Sequence, residues 1–103
     1  MRIIKRSTLE RFWNTYSGTE QSLKSWFAEA KKAKWASSNE MKLDYPSASV
    51  ITRKRTVFNI KGNSYRLVVD IEYKIGIIFI IWFGTHTEYD KLKVKTISYD
   101  KSN

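Results

Sequence analysis

The chain has 103 residues, of which 42% are hydrophobic and 15% aromatic, so it can bury one core and is not an intrinsically disordered protein. The absence of cysteine excludes disulfides and cysteine-bound zinc, and a single histidine excludes a histidine-rich metal site within one chain. Nineteen Lys and Arg against ten Asp and Glu give a formal net charge of +9, which favours a polyanionic partner, either nucleic acid or an acidic protein.

The length predicts one domain over residues 1–103. The most apolar stretch, residues 75–84, is half the roughly 20 residues that a transmembrane helix needs. The opening "MRIIKRSTLERFW" becomes charged again before the apolar region of a signal peptide can form. We therefore expect a cytoplasmic protein that does not insert into a membrane.

The N-terminal third predicts one strand and two helices. Residues 2–5, "RIIK", are β-prone, and Ser7 with Glu10 matches a capping box at the start of a helix that Gly18 would end. Thr19 is placed to cap a second helix that extends to about Trp35. Apolar residues at helical spacing predict the buried stripes of the two helices: Leu9, Phe12, Trp13 and Tyr16, then Leu23, Trp26, Phe27 and Ala30.

After a long connection, residues 36–52, with room for one helical turn before Pro46, the pattern becomes that of strands. Residues 55–60 and 64–74 flank a Gly-Asn turn, which predicts a hairpin, and the unbroken apolar run after Gly76 predicts a central strand buried on both faces. The predicted fold is α+β, in the order β-α-α-β-β-β. Two N-terminal helices would pack on one face of a mostly antiparallel four-stranded sheet.

Basic residues are concentrated around the predicted hairpin and after the histidine. No acidic residue lies between Arg53 and Arg66, and Lys91, Lys93 and Lys95 would point the same way in an extended chain. Cations on an open sheet face would bind a phosphate backbone, and nearby aromatic rings would stack on bases. The alternative is a solvated basic surface. The basic residues predicted to bind RNA are Arg53, Lys54, Arg55, Lys61, Lys91 and Lys93.

The segment "GTHTEYDK", residues 84–91, contains the only histidine. If residues 86–90 form a helical turn, then His86, Tyr89 and Asp90 face the same way and Glu88 faces elsewhere. Histidine takes and gives protons near neutral pH, so Asp90 would hold its ring in one tautomer. Tyr89 would pack against a base or donate a hydrogen bond. The alternative is a structural or surface histidine.

RNA carries its own nucleophile, the 2′-hydroxyl beside each phosphate. Cleavage therefore needs a base for that hydroxyl, an acid for the leaving oxygen and cations for the phosphate charge, and it needs no metal or small-molecule cofactor. His86, a tyrosine and one or two basic residues such as Arg66 can supply this set.

The segment "VFNIKGNSYRLVV", residues 57–69, followed by "GTHTEYDK", resembles the HigB group of bacterial toxin–antitoxin toxins, in the RelE-like superfamily. The opening "RIIKRSTLERFW", the "KKAKW" after the second helix and "YPSAS" also fit the group. The chain departs at Lys61, where the group often has glycine. An additional cation at that turn is compatible with RNA binding.

The resemblance implies a RelE-like fold and an endoribonuclease that cuts mRNA, typically on the ribosome, and arrests growth. It implies a partner, a cognate helix-turn-helix antitoxin of the HigA-like kind. It assigns phosphate binding to Arg66, general acid or base catalysis to His86, stacking or proton donation to Tyr89, and loop orientation to Asp90. It also implies RNA contacts from Asn59 and Asn63.

Two other functions remain open at the level of sequence. The chain would be a non-catalytic RNA- or ribosome-binding module if the same groove only holds RNA. It would be an interaction protein if its positive surface docks an acidic or peptide partner. Charge alone does not separate these alternatives from the nuclease.

Overall fold

The computed structural model describes residues 1–98. The polar C-terminal sequence predicts a chain that frays past Tyr99, and this segment lies outside the described residues. The described residues form five strands and four helices. In chain order these are β1 (Arg2–Ile4), α1 (Ser7–Thr15), α2 (Glu20–Lys32), α3 (Ser38–Asp44), β2 (Ser49–Val50), β3 (Arg55–Ile60), β4 (Tyr65–Glu72), β5 (Ile77–Thr85) and α4 (His86–Asp90).

The strands form one sheet in the order β1-β5-β4-β3-β2, in which only β1 and β5 are parallel. Helices α1 and α2 provide the crossover that a parallel pair needs, whereas the other pairs are antiparallel neighbours. The predicted α+β class and mostly antiparallel sheet are confirmed. The sheet has five strands where four were predicted, because the connection contributes the short edge strand β2, and it also contains α3.

The core lies between the helices and one face of the sheet. The predicted stripe of α2 is confirmed at Leu23, Trp26 and Ala30, which are at most 2% exposed, while Phe27 is partly buried. Leu9 of α1 is also buried, and Phe12, Trp13 and Tyr16 pack partly buried against the same cluster. The sheet contributes mainly aliphatic residues to this core: Phe58, Ile60, Leu67, Val69, Ile71, Ile78, Ile80 and Phe83.

The predicted helix caps differ from those observed. Ser7 is already inside α1, with Arg6 as the N-cap, and no side chain caps that end. The hydroxyl of Thr19 donates to the carbonyl of Tyr16 at 2.7 Å, so it does not accept an amide of α2. Helix α2 ends at Lys32, before the predicted Trp35. Gly18 has the left-handed backbone expected after α1, with φ +84°.

A β-bulge in β5 determines which side chains reach the outer face, the sheet face away from α1 and α2. Val68 pairs with Trp82 and Val69 with Ile80, so Ile81 is the additional residue. The bulge resets the alternation, and Ile80 and Phe83 therefore both face the helices. The central position predicted for β5 is confirmed, but burial on both faces is wrong, since Phe79 is 38% exposed.

Candidate functional site

The two sequence motifs meet at one end of the sheet, where the β3–β4 turn lies beside the end of β5. Arg66 pairs with Asn59 on one side and with Gly84 on the other. The amide of His86 donates to the carbonyl of Ser64 at 3.1 Å. This bond fixes the start of α4 against the hairpin turn, so the backbones of His86 and Arg66 lie close together.

Residues 86–90 do form a helical turn, α4, so the condition for the shared direction of His86, Tyr89 and Asp90 is met. The turn begins with a capping box. The Thr85 hydroxyl accepts from the amide of Glu88 at 3.1 Å, and Glu88 Oε1 accepts from the amide of Thr85 at 2.8 Å. The same Oε1 accepts from the Tyr16 hydroxyl at 2.9 Å. Glu88 therefore faces the end of α1, as expected from its place on the turn.

These bonds shift the ionisation of both partners. The amide of Thr85, and then the hydroxyl of Tyr16, hold the pKa of Glu88 below its usual value. Burial, and then the hydrogen bond to Glu88, raise the pKa of Tyr16 to about 12. The carboxylate of Glu88 and the neutral phenol of Tyr16 are thus the stable forms near neutral pH, and together they tie α4 to α1.

Arg66 carries a positive charge that no carboxylate neutralises among residues 1–98. Its Nη1 donates to the carbonyls of Asn63 at 2.9 Å and Tyr65 at 3.2 Å, and its side chain is partly exposed. The ion pairs formed by the described residues are Lys24–Glu20, Lys54–Glu72 and Arg55–Asp70. The remaining guanidinium donors of Arg66 are therefore available to an anion.

Tyr89 is half-buried near Arg66. Burial, the largest influence, and Asp90 raise the pKa of Tyr89, while the charge of Arg66 lowers it, and the net pKa is raised. Tyr89 is therefore protonated near neutral pH and can donate its hydroxyl proton. Its ring lies 6.4 Å from that of Trp82, tilted by 48°.

His86 is exposed, and its ring forms no hydrogen bond with any residue that the structure describes. The predicted hydrogen bond that the ring would donate to the Asp90 carboxylate is accordingly not formed. Asp90 is exposed too and lies one turn along the same short helix. The imidazole is thus open to a ligand, without a protein group that fixes its tautomer.

Two polar residues and one lysine of the predicted set lie around the hairpin turn. Asn59 is partly exposed and donates to the carbonyl of Ser47 at 3.3 Å, and Asn63 is exposed. Lys61 has a left-handed backbone with φ +54°, which a glycine adopts readily. Its Nζ lies so close to Gly18 that a Cβ there would come within 2.8 Å.

Arg53 and Lys54 lie at the opposite end of the sheet. They directly precede Arg55 of β3, which is four residues from Asn59, and this separation is about 13 Å along a strand. Lys54 is paired with Glu72 at 3.3 Å. The structure therefore does not bring these two cations together with Arg66 and His86.

Arg55 was predicted to bind RNA, but the structure gives it a structural role. It is 8% exposed, and it binds the two carboxylate oxygens of Asp70 at 2.6 and 3.0 Å. Its Nη1 also donates to the carbonyls of Val94 at 2.9 Å and Ile97 at 2.6 Å. Since its charge is neutralised and its donors are occupied, Arg55 is removed from the candidate set.

The lysines after α4 are exposed but are not in an extended chain, so the predicted alternation is wrong. The amides of Thr96 and Ile97 both donate to the carbonyl of Lys93, which forms a turn. Lys91 continues α4 by donating its amide to the carbonyl of Glu88 at 3.2 Å. Lys91 therefore stays beside the site.

Trp82 is a site residue that the sequence reasoning missed. It is partly exposed on the outer face, and its ring folds over Gly84, where a Cβ would come within 2.5 Å of Cη2. The position was overlooked because the apolar run predicted a strand buried on both faces. A sequence of seven consecutive apolar residues shows no alternation from which the bulge at Ile81 can be inferred.

Within residues 1–98, no three His, Cys, Asp or Glu side chains are grouped as a metal site would require. None of the helices in this part of the chain has the length and hydropathy to cross a membrane.

A protein-family model described as the HigB toxin, the RelE-like toxic component of a toxin–antitoxin system, matches residues 19–92. The chain belongs to the HigB toxin family. The match includes the hairpin, β5 and α4, so the HigB assignment applies to the elements that form the site. Membership identifies the chain as a toxin of a toxin–antitoxin system and implies an antitoxin partner. No curated protein matches the chain.

Proposed function

We propose that this HigB-family toxin is a metal-independent endoribonuclease that cleaves translated mRNA on the ribosome. The observation that carries the proposal is the position of Arg66, a cation without an ion-pair partner among residues 1–98, on the strand next to Gly84 and beside the start of α4. A phosphate bound at Arg66 would lie at the end of the sheet where α4 carries the exposed His86 and the protonated Tyr89. These are the three kinds of group that intramolecular cleavage of RNA requires.

In the proposed reaction His86 accepts the proton of the 2′-hydroxyl as that oxygen attacks the adjacent phosphorus. The P–O5′ bond breaks, and Tyr89 gives its proton to the departing 5′-oxygen. Arg66 stabilises the charge that builds up on the non-bridging oxygens. The products are a 2′,3′-cyclic phosphate and a 5′-hydroxyl end. Tyr89 fits the acid role because its raised pKa keeps it protonated.

We further propose that the chain forms one domain over residues 1–103 and acts in the cytoplasm. Its proposed partner is a helix-turn-helix antitoxin of the HigA-like kind. Asn59, Asn63, Lys61 and Lys91 are proposed to contact RNA around Arg66. Asp90 is assigned only to the solvent-facing end of α4, because it forms no bond to the imidazole.

The test uses purified wild-type protein and the His86→Ala, Arg66→Ala and Tyr89→Phe variants with ribosomes and a defined mRNA, in a buffer that supplies the Mg²⁺ ribosomes need together with a chelator of transition metals. Lys54→Ala is a matched control, because it removes a cation at the far end of the sheet. We expect new 5′-hydroxyl ends with the wild type and Lys54→Ala, and a large loss with the other three. Undiminished cleavage by His86→Ala, or cleavage that the chelator abolishes, contradicts the proposal.

A second function, a non-catalytic RNA- or ribosome-binding module, is favoured by one observation. The imidazole of His86 has no hydrogen-bonding partner within the described chain, whereas a catalytic histidine is usually oriented by another group. This alternative predicts that the wild type binds the ribosome and stops translation without producing new RNA ends. It also predicts that His86→Ala remains toxic.

A further inference from the structure

Trp82 is placed where the core of the protein does not need it. It lies on the outer face of the sheet, opposite Val68, and it is not part of the buried cluster between sheet and helices. By contrast, Trp26 and Trp35 are only 2% and 5% exposed and belong to that cluster. The outer face is covered in part, since Val57 and Val68 are at most 2% exposed, but the indole of Trp82 remains partly exposed and is therefore available to a ligand.

Gly84 determines where this indole lies. A Cβ at Gly84 would come within 2.5 Å of Cη2 and 2.7 Å of Cζ2 of Trp82, which is closer than atoms pack. The indole can therefore lie along β5 only because the residue two positions ahead is glycine. Since Gly84 pairs with Arg66, the ring extends toward the guanidinium-bearing residue.

The ring of Tyr89 lies close to the indole of Trp82. The two ring centroids are 6.4 Å apart and the planes are tilted by 48°, an arrangement in which aromatic rings attract each other. The indole N–H is neither hydrogen-bonded within the described residues nor buried without a partner. The ring is thus supported by Tyr89 on one side and not fully covered.

We infer that Trp82 is a stacking platform for one nucleobase, whose adjacent phosphate binds at Arg66. An aromatic ring next to an unneutralised cation is the combination that proteins use to bind single-stranded nucleic acid, with the cation on the phosphate and the ring on the base. Every base has a π face, so the platform adds affinity and sets the register of the strand without choosing the base. The inference rests on the proposed RNA-binding role of the site.

The test is a double-mutant cycle between the protein and the oligonucleotide. The ligands are 2′-O-methyl RNA hexamers, which cannot be cleaved, and a series in which each position in turn is abasic. We expect one abasic position to weaken binding to the wild type by about 5- to 150-fold, the range of a single base–aromatic stack. Trp82→Ala should bind the intact hexamer more weakly than wild type by the same factor. Its affinity should not fall further when that position of the hexamer is abasic.

Two variants with their controls make the result specific. Trp82→Phe should retain part of the stacking, which separates loss of the ring from loss of folding. Gly84→Ala should displace the indole and abolish the response to the abasic position. Because the new Cβ would also come within 2.7 Å of Glu88 Oε1, Glu88→Ala is measured beside it and should keep the response. Phe79→Ala removes another exposed aromatic ring from the same strand and face, at the Asp70 end, and should leave the abasic response unchanged.

The inference is overturned if, at every position, an abasic substitution lowers the affinity of Trp82→Ala for the hexamer as much as that of the wild type. It is also overturned if Trp82→Ala binds hexamers normally but loses a cognate antitoxin, since Trp82 would then be a protein contact. Cleavage of unmodified mRNA is measured separately. If Trp82 and one base position are coupled in binding but mRNA is not cleaved, the stacking platform is supported and the nuclease proposal is contradicted. If mRNA is cleaved but no such coupling is found, only the stacking platform is contradicted.

Discussion

Arg55 and Arg66 lie on the same face of the same antiparallel pair of strands, but their surroundings make them different kinds of residue. Arg55 pairs with Asp70 and binds its carboxylate, and two backbone carbonyls occupy another of its nitrogens. Arg66 pairs with Asn59 and Gly84, neither of which carries a charge. The residue directly across the strand therefore decides whether a cation stabilises the fold or is free for a ligand.

The difference has consequences for the site. Through the carbonyls of Val94 and Ile97, Arg55 holds the segment after α4 against the sheet. That segment begins with Lys91, beside the candidate site. Arg55 thus acts on the surroundings of the site by fixing backbone, whereas Arg66 offers its own charge to the ligand.

The largest expected effect comes from Arg55→Ala. The substitution leaves the carboxylate of Asp70 largely buried without a partner, and breaking a buried pair in this way costs about 3–5 kcal/mol of unfolding free energy. Urea unfolding followed by circular dichroism measures the loss. The double substitution of Arg55 and Asp70 to alanine should cost less than Arg55→Ala alone, because no uncompensated charge remains.

Arg66→Ala is the matched control for stability. Arg66 is partly exposed and has no ion-pair partner among the residues that the structure describes, so its removal should change the unfolding free energy by no more than about 0.5 kcal/mol. Equal destabilisation by the two arginine substitutions contradicts the distinction between them.

The second prediction concerns the proposed activity. Arg66→Ala should lower kcat for mRNA cleavage by about 10²- to 10³-fold, the usual effect of removing one group that stabilises an oxyanion. Arg66→Lys should recover part of the rate, because it restores charge but not the planar donor pair. Single-turnover assays on ribosome-bound mRNA measure both. An Arg66→Ala variant with the wild-type rate would remove Arg66 from the phosphate site.

Much of the site was predictable because it depends on local periodicity and on one hairpin. For a helical turn at residues 86–90, the spacing alone gives Glu88 a direction separate from that of His86 and Tyr89, as observed. The Gly-Asn turn predicts a hairpin, and in that hairpin Arg66 pairs with Asn59. Both predictions need only neighbours in sequence, for which backbone geometry fixes the relative positions.

The role of Arg55 was also within reach of the sequence, since the register that pairs Asn59 with Arg66 also pairs Arg55 with Asp70. The sequence analysis overlooked that this pair carries opposite charges, which indicates an ion pair. The contact of Arg55 with the carbonyl of Val94 was not predictable, because it depends on the tertiary path of the chain after α4. The exposed position of Trp82 likewise depends on a bulge in a uniformly apolar run.

A third prediction tests the connection between α4 and α1, which holds the site beside Arg66. Glu88→Ala removes the bonds that the carboxylate accepts from the amide of Thr85 and the hydroxyl of Tyr16, whereas the Thr85 hydroxyl can still accept the amide of residue 88. Each lost hydrogen bond costs about 0.5–1.5 kcal/mol. Tyr16→Phe should cost less, because the cap remains. Urea unfolding compares each variant with wild type, and a larger loss for Tyr16→Phe would contradict the role given to the cap.

The pH dependence of this connection follows from the direction of the shifts. The pKa of Glu88 is lowered from 4.5, so its stabilisation is present above that value and is lost as the pH falls through the lower pKa of the folded state. The pKa of Tyr16 is raised from 10.0 to about 12, so its contribution is lost as the pH rises through that interval. The stability difference between wild type and Glu88→Gln should therefore narrow in acid. A constant difference down to low pH contradicts the assignment.

The smallest expected effects come from substitutions of Lys61, which change the backbone strain at the hairpin turn and the binding of RNA beside Arg66. The left-handed backbone at Lys61 costs a non-glycine residue about 1 kcal/mol, and Lys61→Gly removes this cost. Part of the gain in stability is lost again, because glycine has more conformational freedom in the unfolded chain. We expect stability to rise by a few tenths of a kcal/mol relative to wild type, whereas Lys61→Ala keeps the unfavourable conformation and should not gain. Thermal unfolding measures both. Lys61 is proposed to contact RNA, but its ammonium lies against Gly18, so each variant should weaken the binding of RNA hexamers by only about twofold. A loss as large as that of Arg66→Ala would make Lys61 a second phosphate-binding residue, and unchanged binding would remove it from the proposed RNA contacts.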